Sequence, residues 1–413
     1  MKLIVKNLSI ALFLPFIIVT TSLSAQNDEV IYKEKKNGFY QDSILFSIQE
    51  FEEGLKSEKE KTYLSLDFSN KKSPTEISKY TQVWHNSPVS QGSTGTCWCY
   101  ASISMFESET YRTTGKEIKL SEMYFVYHEY IERAREFVKT RGDIYLGEGS
   151  EANAVPKLMK LYGAVPLSAY SGKLKGQKFH NHQPLMKEVK TYLASVEANG
   201  EWNEENVVAT VKSILNFYMG EPPASFKFND KDYTPEEFLA TVLKFNPNDY
   251  FSFMSTKSLV YNQKGELVEP DNWWHNDDYY NVDLSDFMVI FKNAIKNGYS
   301  LSFCGDVSEP GYDRYYEVGI IPDFDIPSDY INEDSREYRV NNNSTTDDHC
   351  MHIVGYLDDK SGWWFLIKDS SSSGFDGPTK GYRYIHEDYF KLKILTILVH
   401  KYGAMDVLDK IIK

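Results

Sequence analysis

An α+β fold in two lobes, one mainly helical and one built on an antiparallel sheet, is what the sequence predicts, and three observations predict it. Between Cys97 and Tyr162, small and apolar residues recur at helical spacing in runs that stop at glycines. Residues 183–260 hold further helical stretches broken by Gly220-Glu221-Pro222-Pro223, without a strand-like run, and read as a helical insertion. After Tyr280 the pattern changes to short runs rich in β-branched and aromatic residues, bounded by turn formers. A chain of 413 residues, 41% of them hydrophobic, can bury the core that such a body needs.

The N-terminus stands apart from this body. Lys2 and Lys6 precede an apolar run from Leu8 to Val19, and residues that are small except for Leu23 follow it as far as Ala25. That order of charge, apolar run and small residues is the pattern of a secretory signal peptide over residues 1–25, and the run is shorter than the roughly 20 residues a spanning helix needs. Export to a periplasmic or extracellular location is therefore expected, without stable membrane insertion once the signal is removed. Residues 26–80 are rich in Lys, Glu, Ser and Asn, with one apolar stretch near Ile44 to Phe51, and read as an N-terminal extension with low order at its start. Residues 81–413 form the main domain. The net charge of −14 becomes more negative when Lys2 and Lys6 leave, which argues against nucleic acid as a partner.

Within the main domain, one helix is expected from Cys97 to Tyr111, with Gly115 as its stop. A second runs from Ser121, its N-cap, to about Val138. A third runs from about Glu151 to Tyr162 and ends at Gly163. Strands are expected at Leu301–Val307, Met351–Tyr356, Trp363–Ile367 and Ile394–His400. The four cysteines, at 97, 99, 304 and 350, are too few for a disulfide scaffold. Cys99, Cys304 and Cys350 read as small buried hydrophobes, and no pairing follows from the sequence.

Cys97 differs from the others because a Gly-containing loop, Pro88 to Thr96, delivers it to the start of a helix. A thiolate there meets unpaired backbone N–H groups and the positive end of the helix dipole, which favours the nucleophilic form. Gln91 in the same loop can donate its amide, with the Cys97 N–H, to a developing oxyanion. In Asp347-Asp348-His349-Cys350-Met351-His352 a histidine stands at the mouth of a strand, and in Trp363 to Ser371 the carboxylate of Asp369 ends a neighbouring one. If the two strands pair, Asp369 can accept one ring N–H of His349 and leave the other nitrogen for Cys97. His352 is the local competitor, and strand alternation puts it on the opposite face. His180-Asn181-His182 is too weak a pattern for a metal site, so no metal or cofactor is expected. Trp273-Trp274 and Tyr279-Tyr280 read as packing residues.

These motifs resemble the papain-like cysteine peptidases, and in particular their bleomycin hydrolase and bacterial aminopeptidase C branch. Gln91 lies six residues before Cys97, as the oxyanion glutamine does in that family, and His349 lies six residues before Gly355, as in its His-Ala-x-x-x-Val-Gly stretch. Asp369 stands at the asparagine of its Lys-Asn-Ser-Trp-Gly motif. Leu120–Phe137, Tyr162-Gly163-Ala164-Val165-Pro166, Gly220-Glu221-Pro222-Pro223 and Phe303-Cys304-Gly305-Asp306-Val307 are similar to further segments of the branch, so the likeness spans roughly residues 85 to 400.

The resemblance implies a two-lobed papain-like fold and hydrolysis of peptide bonds in a peptide or protein substrate. It implies Cys97 as nucleophile, His349 as general base, Asp369 as its orienting partner and Gln91 as oxyanion donor. Aminopeptidase activity and homo-oligomerisation follow only from the branch. Two departures shape further expectations. Asp369 in place of asparagine should hold the imidazole equally well, whereas Ser371, where the family has a tryptophan, should let water reach the His349–Asp369 bond and lower activity. The alternative functions are a catalytically weakened scaffold that binds peptides, and an acyl-transfer enzyme using the same Cys-His pair.

Overall fold

The computed structural model describes residues 34, 36–55 and 64–412. The expected signal at residues 1–25 and the start of the extension, through residue 33, lie outside the described residues. The chain divides into two units, Met1–Tyr63 and Leu64–Lys413. In the first, a wide helical turn at Tyr40–Leu45 runs into α1 (Phe46–Leu55) and leaves Phe39, Tyr40, Phe46 and Phe51 exposed. No described helix is long and apolar enough to cross a membrane.

The second unit already begins within the expected extension, because Phe68 and Tyr80 are buried against Val354, Trp364 and Tyr384. Its helical part contains α2 (Cys97–Thr114), α3 (Glu122–Lys139), α4 (Ala154–Tyr162), α5 (Gln183–Asn199), α6 (Glu204–Met219) and the short α7 (Pro235–Phe238). Gly115 ends α2 at φ 67°, in the left-handed region that glycine tolerates, and the Ser121 hydroxyl accepts the Tyr124 N–H at 3.1 Å to start α3. Helix α4 starts later than Glu151, since the Glu151 carbonyl closes a turn on the Ala154 N–H at 3.0 Å.

Every residue of α2 from Trp98 to Thr110 is buried, as expected of a helix with neighbours on all sides. Its polar side chains are matched. Glu107 accepts from Lys119 at 2.7 Å and from the Leu120 N–H at 2.9 Å. Ser102 donates to the Ala152 carbonyl at 3.1 Å, and Ser104 bonds the ring of His352 at 2.8 Å.

The strands are β1 (Thr81–Gln82), β2 (Phe226–Phe228), β3 (Lys231–Tyr233), β4 (Tyr250–Met254), β5 (Gln263–Gly265), β6 (Tyr279–Asn281), β7 (Leu301–Gly305), β8 (Tyr312–Asp313), β9 (Val318–Gly319), β10 (His349–Asp359), β11 (Gly362–Lys368), β12 (Tyr382–His386) and β13 (Ile394–His400). One sheet takes the order β5-β6-β4-β13-β7-β10-β11-β12-β9-β8, with β1 added on β10. Its pairs are antiparallel except β4–β6 and β9–β12. Helix α8 (Leu284–Lys296) packs on this sheet through a core that includes Phe291, Phe303, Ile353, Phe365 and Phe390.

Two expectations need correction. Residues 183–260 are not wholly helical: β2 and β3 form a hairpin, and β4 joins the large sheet beside β13. The hairpin turn at Asn229-Asp230, both at positive φ, is a strong local turn signal, and β4 is a five-residue strand whose partners lie far away in sequence. Cys304 and Cys350 are not free hydrophobes. They face each other in the β7–β10 register and are joined as a disulfide, with Cα atoms 4.0 Å apart and a sequence separation of 46. Only the strand pairing reveals them as partners.

Opening that closed loop should be costly through the entropy regained by the unfolded chain. A Cys304→Ala/Cys350→Ala double variant is expected to lose about 2–4 kcal/mol of unfolding free energy in a urea titration. An unchanged midpoint and slope would show that the crosslink contributes nothing.

Candidate active site

The loop before α2 is pressed against residues 180–182, with the Ser93 N–H donating to the His180 carbonyl at 2.9 Å and the His182 N–H to the Ser93 carbonyl at 3.1 Å. Gly92 permits this approach, since it lies at φ 71° and a Cβ there would stand 2.6 Å from the His180 oxygen. Thr96 occupies the N-cap of α2 without capping it, because its hydroxyl is 2.7 Å from that of Thr94. The amides of Cys97 and Trp98 are thus left without a side-chain cap and can meet a ligand or a negative charge, whereas those of Cys99 and Tyr100 donate to the Thr96 carbonyl at 3.0 and 3.2 Å. Cys97 itself is a free thiol and partly exposed.

Gln91 is buried, and its amide orientation is set from both ends. The Ser370 hydroxyl donates to Oε1 at 2.7 Å, and Nε2 donates to the Thr94 carbonyl at 2.6 Å. One N–H of the amide is left for another acceptor. The Gln91 backbone N–H donates to the Ser370 carbonyl at 2.8 Å, so the loop is attached to the segment that follows β11.

Strand register brings the remaining pair together. His352 opposes Lys368 across β10 and β11, and extending that register puts Asp369 opposite Met351, on the face that also carries His349. The His349 ring Nε2 lies 2.8 Å from Asp369 Oδ1. Cys97 is the other hydrogen-bond neighbour of the ring, which leaves Nδ1 for the sulfur. Burial opposes a charged imidazole, but the negative charges of Cys97 and Asp369, and hydrogen bonds to both, outweigh it and push His349 up to about 10. Because the folded value lies above the ordinary 6.5, the stability contributed by the charged ring is complete below about pH 6.5 and is lost as pH rises through about 10.

Sequence reasoning missed what surrounds Asp369. Its buried carboxylate also accepts from Arg383 Nε at 2.7 Å, from the Ser371 N–H at 2.8 Å and from the Ser371 hydroxyl at 2.9 Å. Burial would raise this acid, yet His349 and Arg383 hold it well below the usual carboxylate range. Arg383 is fully buried, bonds the Asp313 carbonyl at 3.2 Å and lies over the Tyr312 ring. A carboxylate where the family has a neutral amide is thus accompanied by a buried cation, and the signal for it is the Arg383 of β12, next to β11 in the sheet.

Ser371 does not open the site to water as expected. It caps a tight turn at Ser372–Phe375, accepting the Gly374 N–H at 3.1 Å, and this turn covers the carboxylate so closely that a Cβ on Gly374 would lie 2.9 Å from Asp369 Oδ2. The Asp369 side chain is 0% exposed, so the turn takes the covering place of the family tryptophan.

The competing residues sit elsewhere. His352 is buried between Ser104 and Lys368, and burial holds its ring well below its ordinary value. Cys99 is buried with its Sγ 3.2 Å from the Glu122 carbonyl, and burial pushes the thiol up. His182 bonds Tyr130 at 3.1 Å, and His180 lies beside it. Trp273 and Trp274 stack on each other, and both indole N–H groups donate to the buried Glu129.

The Asp369–Arg383 pair should behave as one unit. Arg383→Met leaves the buried carboxylate with His349 and Ser371 but without its guanidinium, and Asp369→Asn takes the carboxylate from a buried guanidinium, so each is expected to cost about 3 kcal/mol in denaturant unfolding. The double variant should lose clearly less than the sum of the two, and additive losses would mean the pair is not coupled.

Against known proteins, the profile of the Peptidase C1-like family matches residues 147–412, beginning after the helix that carries Cys97. No curated protein sequence matches the chain. The solved structure of PepW from Lactobacillus rhamnosis HN001 (DR20) superposes with a TM-score of 0.64 at 16% identity, over 91% of this chain and 95% of its own. A structure concerning the mite allergens Blo t 1 and Der p 1 reaches a TM-score of 0.36 at 14% identity, over 82% of this chain and 74% of its own, too low for any argument. The family match over most of the chain and the two-lobed fold agree: the chain belongs to the Peptidase C1-like family and is a papain-like cysteine peptidase.

Proposed function

We propose that this peptidase is exported and hydrolyses peptide bonds with Cys97 as nucleophile, His349 as general acid and base, Asp369 as the residue that orients the ring, and Gln91 as oxyanion donor. The observation that carries this reading is the single imidazole with Cys97 on one side and the Arg383-supported Asp369 on the other. The sulfur attacks the substrate carbonyl, and the oxyanion takes hydrogen bonds from the free N–H of the Gln91 side chain and from the Cys97 backbone. His349 gives a proton to the leaving amine, then removes one from the water that cleaves the thioester. Asp369 keeps the ring turned throughout. Aminopeptidase action, as the branch resemblance implies, belongs to this proposal, and so does export, which rests on the pattern of residues 1–25.

The test is covalent capture. An epoxide directed at thiol peptidases is expected to label Cys97 stoichiometrically in the wild type and not in Cys97→Ser, with peptide hydrolysis lost in step. Gln91→Ala should keep the label while kcat falls about 10²–10³-fold. A folded wild type that neither reacts nor hydrolyses any member of a peptide library, with free and blocked N-termini compared, would favour a peptide-binding scaffold. Transfer of the acyl group to an added amine in preference to water would favour the acyl-transfer reading.

A further inference from the structure

A second set of chemical groups meets close to Cys97. Glu151 belongs to a segment fastened to the start of α2: the Gly95 N–H donates to Glu148 Oε2 at 2.7 Å, Trp98 Nε1 to the Glu148 carbonyl at 3.1 Å, and Ser102 to the Ala152 carbonyl at 3.1 Å. Asp347 comes from the other half of the molecule, two residues before His349, with a carboxylate oxygen within 4.8 Å of both sulfurs of the Cys304–Cys350 disulfide. The two carboxyls come within hydrogen-bonding range of each other, and Asp347 is close enough to Cys97 to feel its charge.

Nothing in this group of side chains supplies a balancing positive charge. Glu151 is 1% exposed, and neither its Oε2 nor Oδ2 of Asp347 makes a hydrogen bond. Tyr279 Oη and Asn153 Nδ2, which border the pair, are also without a well-directed partner. The charged neighbours acting most strongly on both acids are other acids, Glu269 and Asp271 among them. Arg133 serves Asp271, and its guanidinium is already engaged by the Gly147 carbonyl at 3.0 Å and by the Gly149 carbonyl. Burial first, and repulsion from neighbouring acids second, by Asp271 for Glu151 and by Glu151 for Asp347, push Glu151 up to about 8 and Asp347 upward with it.

Two facing carboxylates hold together only with something positive between them, either a shared proton or a cation. A group carrying its own N–H donors fits best, because it neutralises the charge and also satisfies the orphaned oxygens. Glu151 is nearly sealed, whereas Asp347 is partly exposed and lies two residues before His349.

Resting on the peptidase reading above, we propose that Glu151 and Asp347 form a subsite for a cationic group of the peptide substrate, an N-terminal ammonium or a Lys or Arg side chain, next to the bond that Cys97 attacks. One carboxylate comes from each half of the molecule, so the subsite exists only in the assembled fold. Selectivity then arises from desolvated charge complementarity, which rejects a neutral isostere because the acids would be left unpaired.

The experiment measures kcat/KM for fluorogenic amides in matched pairs: acyl-Leu-Arg and acyl-Arg-Leu against their citrulline counterparts, and free Leu against acetyl-Leu. At least one pair is expected to favour the cation about tenfold or more. The arginine pairs report a side-chain subsite, and the leucine pair an N-terminal one. Glu151→Gln and Asp347→Asn should each bring that ratio to within about twofold of one, while the epoxide still labels Cys97, which shows that the site is assembled. A wild type that cleaves neutral and cationic members alike would overturn the subsite and leave the peptidase reading standing, with the two acids sharing a proton. A preference that both substitutions leave intact would also overturn it, and a wild type that cleaves nothing and resists labelling would overturn both proposals.

Discussion

The buried carboxylate of Asp369 accepts four hydrogen bonds, from His349, from Arg383 and twice from Ser371. An isolated carboxylate without water would be costly to keep charged, and these donors are what make it tenable. Its neighbour Ser370 holds the Gln91 amide by hydroxyl and backbone. Three consecutive residues at the end of β11 therefore orient both the ring of His349 and the amide of Gln91. The candidate groups come from distant parts of the sequence, yet the ring of His349 and the amide of Gln91 are both oriented by one short segment and the turn that covers it.

The helical side contributes equally. Because α2 is buried along most of its length, Cys97 sits at the end of a rigid element and not on a free loop. Ser102 bonds Ser302 at 3.3 Å and Ser104 receives Lys368 at 2.7 Å, so the helix is attached to both β7 and β11. The Cys304–Cys350 crosslink joins β7 to β10 one residue from His349. Helix, strands and disulfide together fix the distance between the sulfur and the imidazole, and the same convergence brings Glu151 to Asp347.

Much of this was legible in the sequence, for local reasons. Ser121, Gly115 and Gly163 mark helix ends through backbone chemistry confined to a few residues, and the Gln91–Cys97 and His349–Asp369 relations are carried by motif spacing. What escaped was non-local. Arg383 reads as an ordinary basic residue until β12 is placed beside β11, and Cys304 meets Cys350 only through the β7–β10 register. Ser371 read as a loss because a missing tryptophan is visible in the sequence, whereas the capped turn that replaces it is a backbone feature. Glu151 and Asp347 likewise read as the start of a helix and the approach to a strand, with nothing local to show that they meet.

The proposed chemistry depends most on an imidazole held in its charged form between sulfur and carboxylate. Nitrogen-15 NMR of ring-labelled protein, with His349 assigned against a His349→Gln variant, measures that form directly. Both ring nitrogens of His349 should remain protonated through neutral pH and release a proton only as pH rises toward about 10. A midpoint near the ordinary 6.5, or a ring neutral at every pH where the protein is folded, would contradict the account.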